Sequence, residues 1–451
     1  MATTQTPVGL EAEHIAAMRE AYDSDSRNRL MQNAVTVHDV DEVALDRNIV
    51  TGATHTYSTV LDDWSPTNQG ASGRCWLFSG LNLCRFDTMD TMNVGQFEYS
   101  QSYMMFWDKV ERANFVLEAV IETADRPVDD RVVQWLMGAP IEDAGQWDMF
   151  VNLVKKHGVV PKSAMPETQS SAATRKMNGI LYYQVRQGAE KIRGLYKQEA
   201  GLDAMRQAKL DALKVIYKIL AIHLGTPPRS FDWQWKDRDG EFHRDGEMTP
   251  QEFAAKYIAT NLDELVCLVH DPREAHPIGR TYTIAHLGNV VGGSAVKYLN
   301  IPIDTMKEIT MGLLQDGRPV WMGCDTGKQN HGKLGLWDAN LFDYDGVYGT
   351  GFDMDKAARL EYGQTQMTHA MLFTGVDVVD GKPRRWRVEN SYGDAVGDKG
   401  FFLMNDSWFE QYMFEIAAPK SRLSPELQAA LDTEPIVLPP WDPMGALARS
   451  R

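Results

Sequence analysis

The sequence predicts an α+β protein in which helical and strand-forming segments occupy different parts of the chain. Residues 75–165 and 186–224 carry apolar residues at helical spacing. Farther along, residues 369–379 and 385–390 have the composition of two strands, and Asp380-Gly381 between them is a turn signal. A chain of 451 residues is long enough for a large core and for two lobes.

The first part of the chain leads into a loop that ends at a cysteine. Residues 10–31 have helical spacing, and an extended approach follows them. A glycine-punctuated loop then delivers Cys75 to the first position of an apolar helix. A helix start offers unpaired N–H groups and a partial positive charge, which favour thiolate over thiol. Gln69 on the same loop adds an amide donor, so the parts needed for acyl transfer through a thioester are present.

A packing role for this cysteine is the simpler alternative, because free cysteines are among the most buried residues. Cys84 illustrates that role, since it shares a helical stripe with Leu77, Phe78 and Leu81 and is expected to face the core. Cys75 instead stands at the mouth of the helix, where a thiol can be reached.

A histidine that opens the first predicted strand supplies the base that such a thiol needs. With a two-residue turn between the strands, His369 faces Tyr392 and becomes a diagonal neighbour of Asn390, within about 7–8 Å. The amide can then accept the imidazole N–H and fix its tautomer. A different loop, given Pro383, moves the pairing by a residue or two. By itself the hairpin favours a core histidine, but together with the Cys75 loop it favours catalysis.

The return strand 385–390 alternates charged and apolar residues, as is typical of a half-buried strand. Trp386, Val388 and Asn390 fall on the buried side, and Glu389 falls on the other. A polar amide on the buried side needs a reason to be there, which supports a partner for it.

Together these residues resemble the active-site set of the papain-like cysteine peptidases. The resemblance rests on Gln69, on Cys75-Trp76, on His369 in a strand and on Asn390 followed by Ser-Tyr-Gly. The segment before the cysteine lacks the extra cysteine of secreted members, and the gap to the histidine is unusually long. Both departures resemble the bleomycin hydrolase and aminopeptidase C branch. Further matches to that branch are residues 28–35, 44–47, 323–325 and 438–448, and the resemblance extends over nearly the whole chain.

The resemblance implies a papain-like two-lobed fold, with a helical lobe facing a β-barrel-like lobe across a substrate cleft. In it, Cys75 would attack the scissile carbonyl, His369 would shuttle protons, and Asn390 would orient the imidazole. Gln69 and the backbone N–H of Cys75 would hold the oxyanion, and the thiol would be ionised against the imidazole. The expected segments are 1–60 for an N-terminal arm and helix, 61–165 for the helical lobe with the nucleophile, 166–285 for a helical insertion, 286–420 for the β-rich lobe with the histidine and asparagine, and 421–451 for an extended C-terminal arm into the active site.

The C-terminal arm is stiff by composition, since six prolines lie between residues 419 and 443. In the family this arm fills the cleft up to one residue from the nucleophile, and its terminal carboxylate pairs with the substrate's α-ammonium. The resemblance therefore implies an aminopeptidase for peptides with a free N-terminus, with Ala448 at the substrate amine, assembled as a homohexamer. Residues 449–451 extend past Ala448, and we hypothesise that they are trimmed before full activity appears, the alternative being a frayed end with no role.

Two other functions stay open on the sequence alone. A papain-like endopeptidase or amidase results if the arm does not occupy the cleft. The second alternative is a non-catalytic scaffold that forms a chamber. The joint presence of Cys75, His369, Asn390 and Gln69 argues against this alternative.

Two further motifs are weaker. Residues 327–334 nearly fit a phosphate-binding loop but lack its final Ser or Thr. Cys267 and His270, with His276 and His286, lack the second ligand pair of a metal site. No metal and no cofactor is therefore expected.

Composition bears on compartment and partners. A net charge of −16 disfavours nucleic acid. No apolar run approaches the roughly 18 residues of a membrane span, and the first residues lack the pattern of a secretory signal. Four cysteines in 451 residues argue against a disulfide framework. A cytoplasmic enzyme acting on peptides, without membrane or nucleic-acid partners, is the expectation.

Overall fold

The computed structural model describes residues 8–61 and 64–448. Within them, helices dominate the first half of the chain and a large mixed sheet dominates the second, so the α+β class is confirmed. The helices are α1 Ala12–Ser24, α2 Ser26–Val35, α3 Val40–Ala44, α4 Arg47–Gly52, α5 Cys75–Thr91, α6 Gln101–Glu122, α7 Arg131–Gly138, α8 Trp147–His157, α9 Gln169–Ala172, α10 Arg175–Lys197, α11 Leu202–Leu224, α12 Pro250–Tyr257, α13 Ile303–Gln315, α14 Tyr344–Tyr348, α15 Lys356–Glu361, α16 Asp406–Tyr412 and α17 Pro425–Leu431.

Most strands of the described chain belong to one sheet. Its order is β14-β5-β6-β4-β13-β7-β10-β11-β12-β9-β8, with β1 added on β10, and β2 and β3 form a separate hairpin. The strands are β1 Thr59–Val60, β2 Phe231–Lys236, β3 Phe242–Met248, β4 Leu265–Val269, β5 Thr281–Ile284, β6 Tyr298–Asn300, β7 Val320–Cys324, β8 Asn330–His331, β9 Leu336–Trp337, β10 His369–Val379, β11 Lys382–Glu389, β12 Phe401–Asn405, β13 Met413–Pro419 and β14 Ile436–Leu438.

Helix α5 begins at Cys75, as the sequence predicts, and is buried along most of its length. Trp76, Leu77 and Leu81 are buried on different sides of it, as is typical of a helix inside a core. It packs on α6 and α8 on one side and on β7 and β10 on the other. The close fit needs Gly145, where a Cβ atom would lie 2.5 Å from the Trp76 ring. This packing places the start of α5 where the helical part meets the sheet.

The hairpin β10–β11 has the predicted two-residue turn. Val379 pairs with Lys382 beside the turn, and Leu372 pairs with Glu389 near the far end. The pairing shifts by one residue between Asp377 and Val378 and shifts back between Phe373 and Gly375. The register at the start of β10 is therefore the one that the turn sets. The predicted facing of His369 and Tyr392 follows from this register, and their rings stack at 5.2 Å between centroids.

Residues 166–285, expected to be a helical insertion, contain strands as well as helices. Helices α10 and α11 pack on each other and on α6, and α12 opens with the predicted capping box at Thr249. Strands β4 and β5, however, join the main sheet. The five apolar residues of Leu265–Val269 have no periodicity that separates a buried strand from a buried helix. Pairing with β13 and β6 decides their conformation.

The predicted helical stretch 10–31 is divided at Asp25. The side chain of Asp25 accepts a hydrogen bond from the N–H of Arg27 and so begins α2. None of the helices that the structure describes is long and apolar enough to cross a membrane.

Candidate active site

The thiol of Cys75 lies where the two parts of the molecule meet. Its sulfur accepts a hydrogen bond from the backbone N–H of Ala370 in β10, at 3.4 Å. These residues are 295 positions apart in sequence, and Cys75 is 4% exposed. Tertiary folding therefore brings the start of α5 into direct contact with the strand that begins at His369.

A buried carboxylate that the sequence analysis missed supports the loop before α5. Asp143 accepts hydrogen bonds from the N–H of Gly73 at 3.2 Å, from Thr174 at 2.5 Å and from Asn178 at 2.8 Å. It also pairs with Lys109 at 2.7 Å. Although burial acts to raise it, these contacts hold the pKa of Asp143 well below its ordinary value. No local pattern marks this aspartate, because its partners come from separate segments.

The imidazole of His369 is held by Asn390, as predicted. Nε2 of the ring lies 2.9 Å from Oδ1 of Asn390. The same oxygen accepts the backbone N–H of Ser391 at 2.8 Å, which identifies it as an acceptor. Nε2 therefore carries a proton, and in the neutral ring Nδ1 is the free base. With Tyr392 stacked on one face, the ring has a fixed orientation.

Gln69 lies in the same cluster, but its side chain has partners that the sequence did not reveal. Its Oε1 accepts the hydroxyl of Ser391 at 2.6 Å, and its Nε2 donates to the carbonyl of Ser72 at 2.5 Å. Its backbone N–H donates to the carbonyl of Ser391 at 2.9 Å. The residue after Asn390 thus ties the loop of the nucleophile to the strand end that holds the imidazole.

Burial opposes the ion pair between Cys75 and His369 that the family resemblance implies. Burial raises the pKa of the Cys75 thiol to about 11, while backbone N–H groups that include that of Ala370 act to lower it. Burial also lowers the pKa of His369 to about 4, against the contact with Asn390. Desolvation disfavours both charged forms and outweighs the helix start.

The last described residues lie between the two lobes. Strand β14 pairs with β5, and the guanidinium of Arg131 in α7 lies 3.6 Å from the centre of the Trp441 ring. The hydroxyl of Tyr298 in β6 donates to the carbonyl of Met444 at 3.2 Å. A Cβ atom at Gly323 would come within 3.3 Å of the Leu447 side chain. The arm therefore contacts both lobes.

A charge-assisted pair fixes this arm to the sheet. Arg273 donates to both carboxylate oxygens of Asp442, at 2.9 and 3.2 Å, and is held in turn by Asp271. The structure describes only the backbone of Ala448, the predicted substrate-binding residue. Ala448 is the last residue of a 3₁₀ helix, Pro443–Ala448. Residues 449–451, on which the trimming hypothesis rests, lie outside the described part of the chain.

Beneath the arm lies a second carboxylate that the sequence analysis did not single out. Glu415 in β13 pairs with Gly323 and is fully buried, and no N–H or O–H group of the described residues donates to either of its oxygens. Burial raises the pKa of Glu415 to about 8.

Among residues 8–61 and 64–448, no group of three or more His, Cys, Asp or Glu side chains is arranged to hold a metal ion.

The geometry can be set beside known proteins. The sequence profile of the Peptidase C1-like family matches residues 9–445. The chain belongs to the Peptidase C1-like family. The resemblance inferred from Gln69, Cys75, His369 and Asn390 is thereby confirmed at the level of the family, and so is the papain-like fold class.

Named relatives of this Peptidase C1-like chain are similar along nearly all of it. Bleomycin hydrolase from Rattus norvegicus is 43% identical over 450 residues, covering 98% of this chain and 99% of that protein. Aminopeptidase C from Lactobacillus delbrueckii subsp. lactis is 41% identical over 396 residues, covering 87% and 88%. The crystal structure of PepW from Lactobacillus rhamnosis HN001 matches with a TM-score of 0.95 at 40% identity, covering 97% and 99%. The chain is therefore a cysteine peptidase similar to enzymes of the aminopeptidase type.

Proposed function

We propose that this protein is a cysteine aminopeptidase that releases N-terminal residues from peptides through a thioester acyl-enzyme. The observation that carries the proposal is the position of the arm. Its Leu447 lies against Gly323 in β7, and Gly323 pairs with Ala370 in β10, whose N–H contacts the Cys75 sulfur. Relatives named bleomycin hydrolase and aminopeptidase C, at 43% and 41% identity, support the same activity.

In the proposed reaction, Cys75 attacks the scissile carbonyl while Nδ1 of His369 takes the thiol proton. A carbon–sulfur bond forms, and the carbonyl π electrons move to the oxygen. The imidazolium then gives its proton to the leaving amine as the peptide C–N bond breaks. Water hydrolyses the thioester with His369 again as base. Asn390 accepts the hydrogen bond from Nε2 and would stabilise the imidazolium as it forms.

The oxyanion would be held by the backbone N–H of Cys75 and the side-chain amide of Gln69. One N–H of that amide is already used on the carbonyl of Ser72. An amide nitrogen carries two hydrogens, so the second is available to the oxyanion. The bond from Ser391 to Oε1 fixes which way the amide points.

The arm would restrict the cleft to substrates with a free N-terminus. Gly323, which Leu447 covers, pairs with Ala370 in the adjacent strand. The N–H of Ala370 in turn contacts the Cys75 sulfur, so the arm lies next to the strand that contacts the nucleophile. We infer that Ala448 lies at the substrate amine, and that removal of residues 449–451 brings a carboxylate to it.

Paired substrates test this function. A dipeptide amide with a free α-amine and its N-acetylated form are compared, using the full chain, a version ending at Ala448, and Cys75→Ser as the inactive control. We expect cleavage of the free-amine substrate alone, at a higher rate when the chain ends at Ala448. Cleavage of both forms would instead support an endopeptidase or amidase, and cleavage of neither would support a scaffold.

We further propose that the enzyme is a cytoplasmic homohexamer. Helices α1 and α2 have no buried residue, and they expose Ile15, Met18 and Leu30, which suits a subunit contact. All four cysteines are free, as in a reducing compartment. Light scattering coupled to size exclusion gives the subunit number, and a single-chain mass near 50.8 kDa would rule out the assembly.

A further inference from the structure

A buried ion pair joins the helix of the nucleophile to the strand that ends just before Asn390. Nη2 of Arg85 in α5 lies 2.5 Å from Oε1 of Glu389 in β11, and their side chains are 2% and 0% exposed. Glu389 also accepts the indole N–H of Trp64 at 2.6 Å and the amide of Asn82 at 2.9 Å. The predicted half-buried strand is thus buried on both sides here, because its charged side faces α5 rather than solvent.

This carboxylate has little rotational freedom. Three donors from two segments of the helical lobe hold its two oxygens, and Asn82 donates in addition to Thr67 in the loop that leads to the nucleophile. Glu389 immediately precedes Asn390, so fixing its side chain fixes the backbone from which the imidazole-orienting amide projects.

Stability alone is a weak reason for such a pair. Desolvating two charges costs about as much as their attraction returns, and buried ion pairs can often be replaced by apolar residues without loss of stability. A pair that spans two lobes does, however, fix a distance and an orientation between them. The elements that it joins carry Cys75 at one helix start and Asn390 at one strand end.

We propose that Glu389 is a positioning residue for the reaction. With Arg85 and Asn82 it sets the spacing between α5 and the end of β11, and so the placement of the Cys75 sulfur relative to the His369–Asn390 pair. The inference rests on the proposed cysteine peptidase mechanism. In it, the buried ion pair keeps the two lobes at the separation and orientation that the reaction needs.

A half-buried carboxylate with similar partners offers a control. Asp406 accepts the indole N–H of Trp386 at 3.1 Å and the ammonium of Lys307 at 2.6 Å, so it has the same kinds of partner. Its contacts lie within the sheet lobe, and its side chain is 24% exposed. Asp406→Asn therefore breaks a comparable network without disturbing the junction between the lobes.

The test compares Glu389→Gln, Asp406→Asn and the unaltered full chain. Active sites are titrated with an irreversible thiol reagent, and kcat and KM are measured per titrated site on a free-amine aminoacyl substrate. We expect Glu389→Gln to lower kcat roughly 10- to 100-fold with KM within about threefold, because misplacement by about 1 Å can cost 10²-fold. Asp406→Asn should keep kcat within about twofold of the unaltered protein, even if its thermal midpoint falls as far as that of Glu389→Gln.

Equal kcat per titrated site in all three proteins would overturn the proposal, as would an equal loss in both variants at equal loss of stability. If Glu389→Gln does not fold, Trp64→Phe removes one donor and leaves the ion pair, with an expected loss of about three- to tenfold. If the unaltered protein cleaves no peptide, the proposed function fails separately. The alkylation rate of Cys75 then reports the geometry, and an unchanged rate in Glu389→Gln refutes the positioning role.

Discussion

The burial of Glu415 beneath the arm can be tested by measuring how the stability of the protein depends on pH. Its side chain is fully buried, and within the described part of the chain neither oxygen accepts a hydrogen bond from an N–H or O–H group. Burial, with the nearby charge of Asp148, raises its pKa from the ordinary 4.5 to about 8, and the thiol of Cys267 opposes the shift. The folded protein therefore keeps this carboxyl protonated at pH values where the unfolded chain ionises it.

The sign follows from proton binding. Between pH 4.5 and 8 the folded state binds more protons than the unfolded state, so the free energy of unfolding falls as pH rises. Raising the pKa from 4.5 to about 8 corresponds to roughly 5 kcal/mol over the whole range. Burial also raises the pKa of Asp148 to about 6, so that its contribution is largely complete below pH 6.5. Between pH 6.5 and 8, Glu415 should account for about 2 kcal/mol.

The assay is thermal unfolding of the full chain and of Glu415→Gln between pH 6.5 and 8. Unfolding entropy of about 2.1 cal/mol/K per residue makes 2 kcal/mol equivalent to roughly 2 °C for a chain of this length. The midpoint of the unaltered protein should fall by about that amount relative to the variant. The exposed Glu426→Gln is the control and should track the unaltered protein. A constant difference between the full chain and Glu415→Gln across this range would refute the reasoning.

Three further predictions concern the site and the arm. Asn390→Ala should lower kcat by about 10- to 100-fold with little change in KM, because it frees the imidazole to rotate; a change confined to KM in steady-state kinetics would contradict this. Because burial lowers the pKa of His369 to about 4, the acid limb of kcat/KM should lie below pH 6, and a midpoint of 6.5 or above would show an imidazole of ordinary basicity. Asp442→Asn breaks the pair with Arg273, worth about 2 kcal/mol as a charge-assisted contact. It should raise turnover of N-acetylated relative to free-amine substrate at least about threefold, whereas an unchanged ratio would mean that this pair does not seat the arm.

Much of the candidate site could be predicted because its parts are local. The helix that starts at Cys75 follows from a glycine-rich loop before an apolar run. The hairpin register follows from a two-residue turn, which places His369 diagonally from Asn390. Each inference needed only neighbouring residues and the fixed geometry of helices and strands.

Residues whose role depends on distant partners could not be found in this way. Glu389 sits in an alternating strand that predicts an exposed charge, yet α5 covers it. Asp143 and Glu415 lie in segments with no distinguishing pattern. Strand β4 is a short apolar run, and only its pairing with β13 and β6 separates it from a helix.

The sequence by itself determined the chemical parts: a cysteine at a helix start, a histidine and an amide across one hairpin, and a proline-stiffened end. Only the tertiary structure decided how those parts are charged and spaced. Burial raises the pKa of the thiol and lowers the pKa of the imidazole, and contacts between the lobes set their orientation. The physical reason is that desolvation and packing depend on atoms far away in the chain, whereas helix starts and turns depend on residues close by.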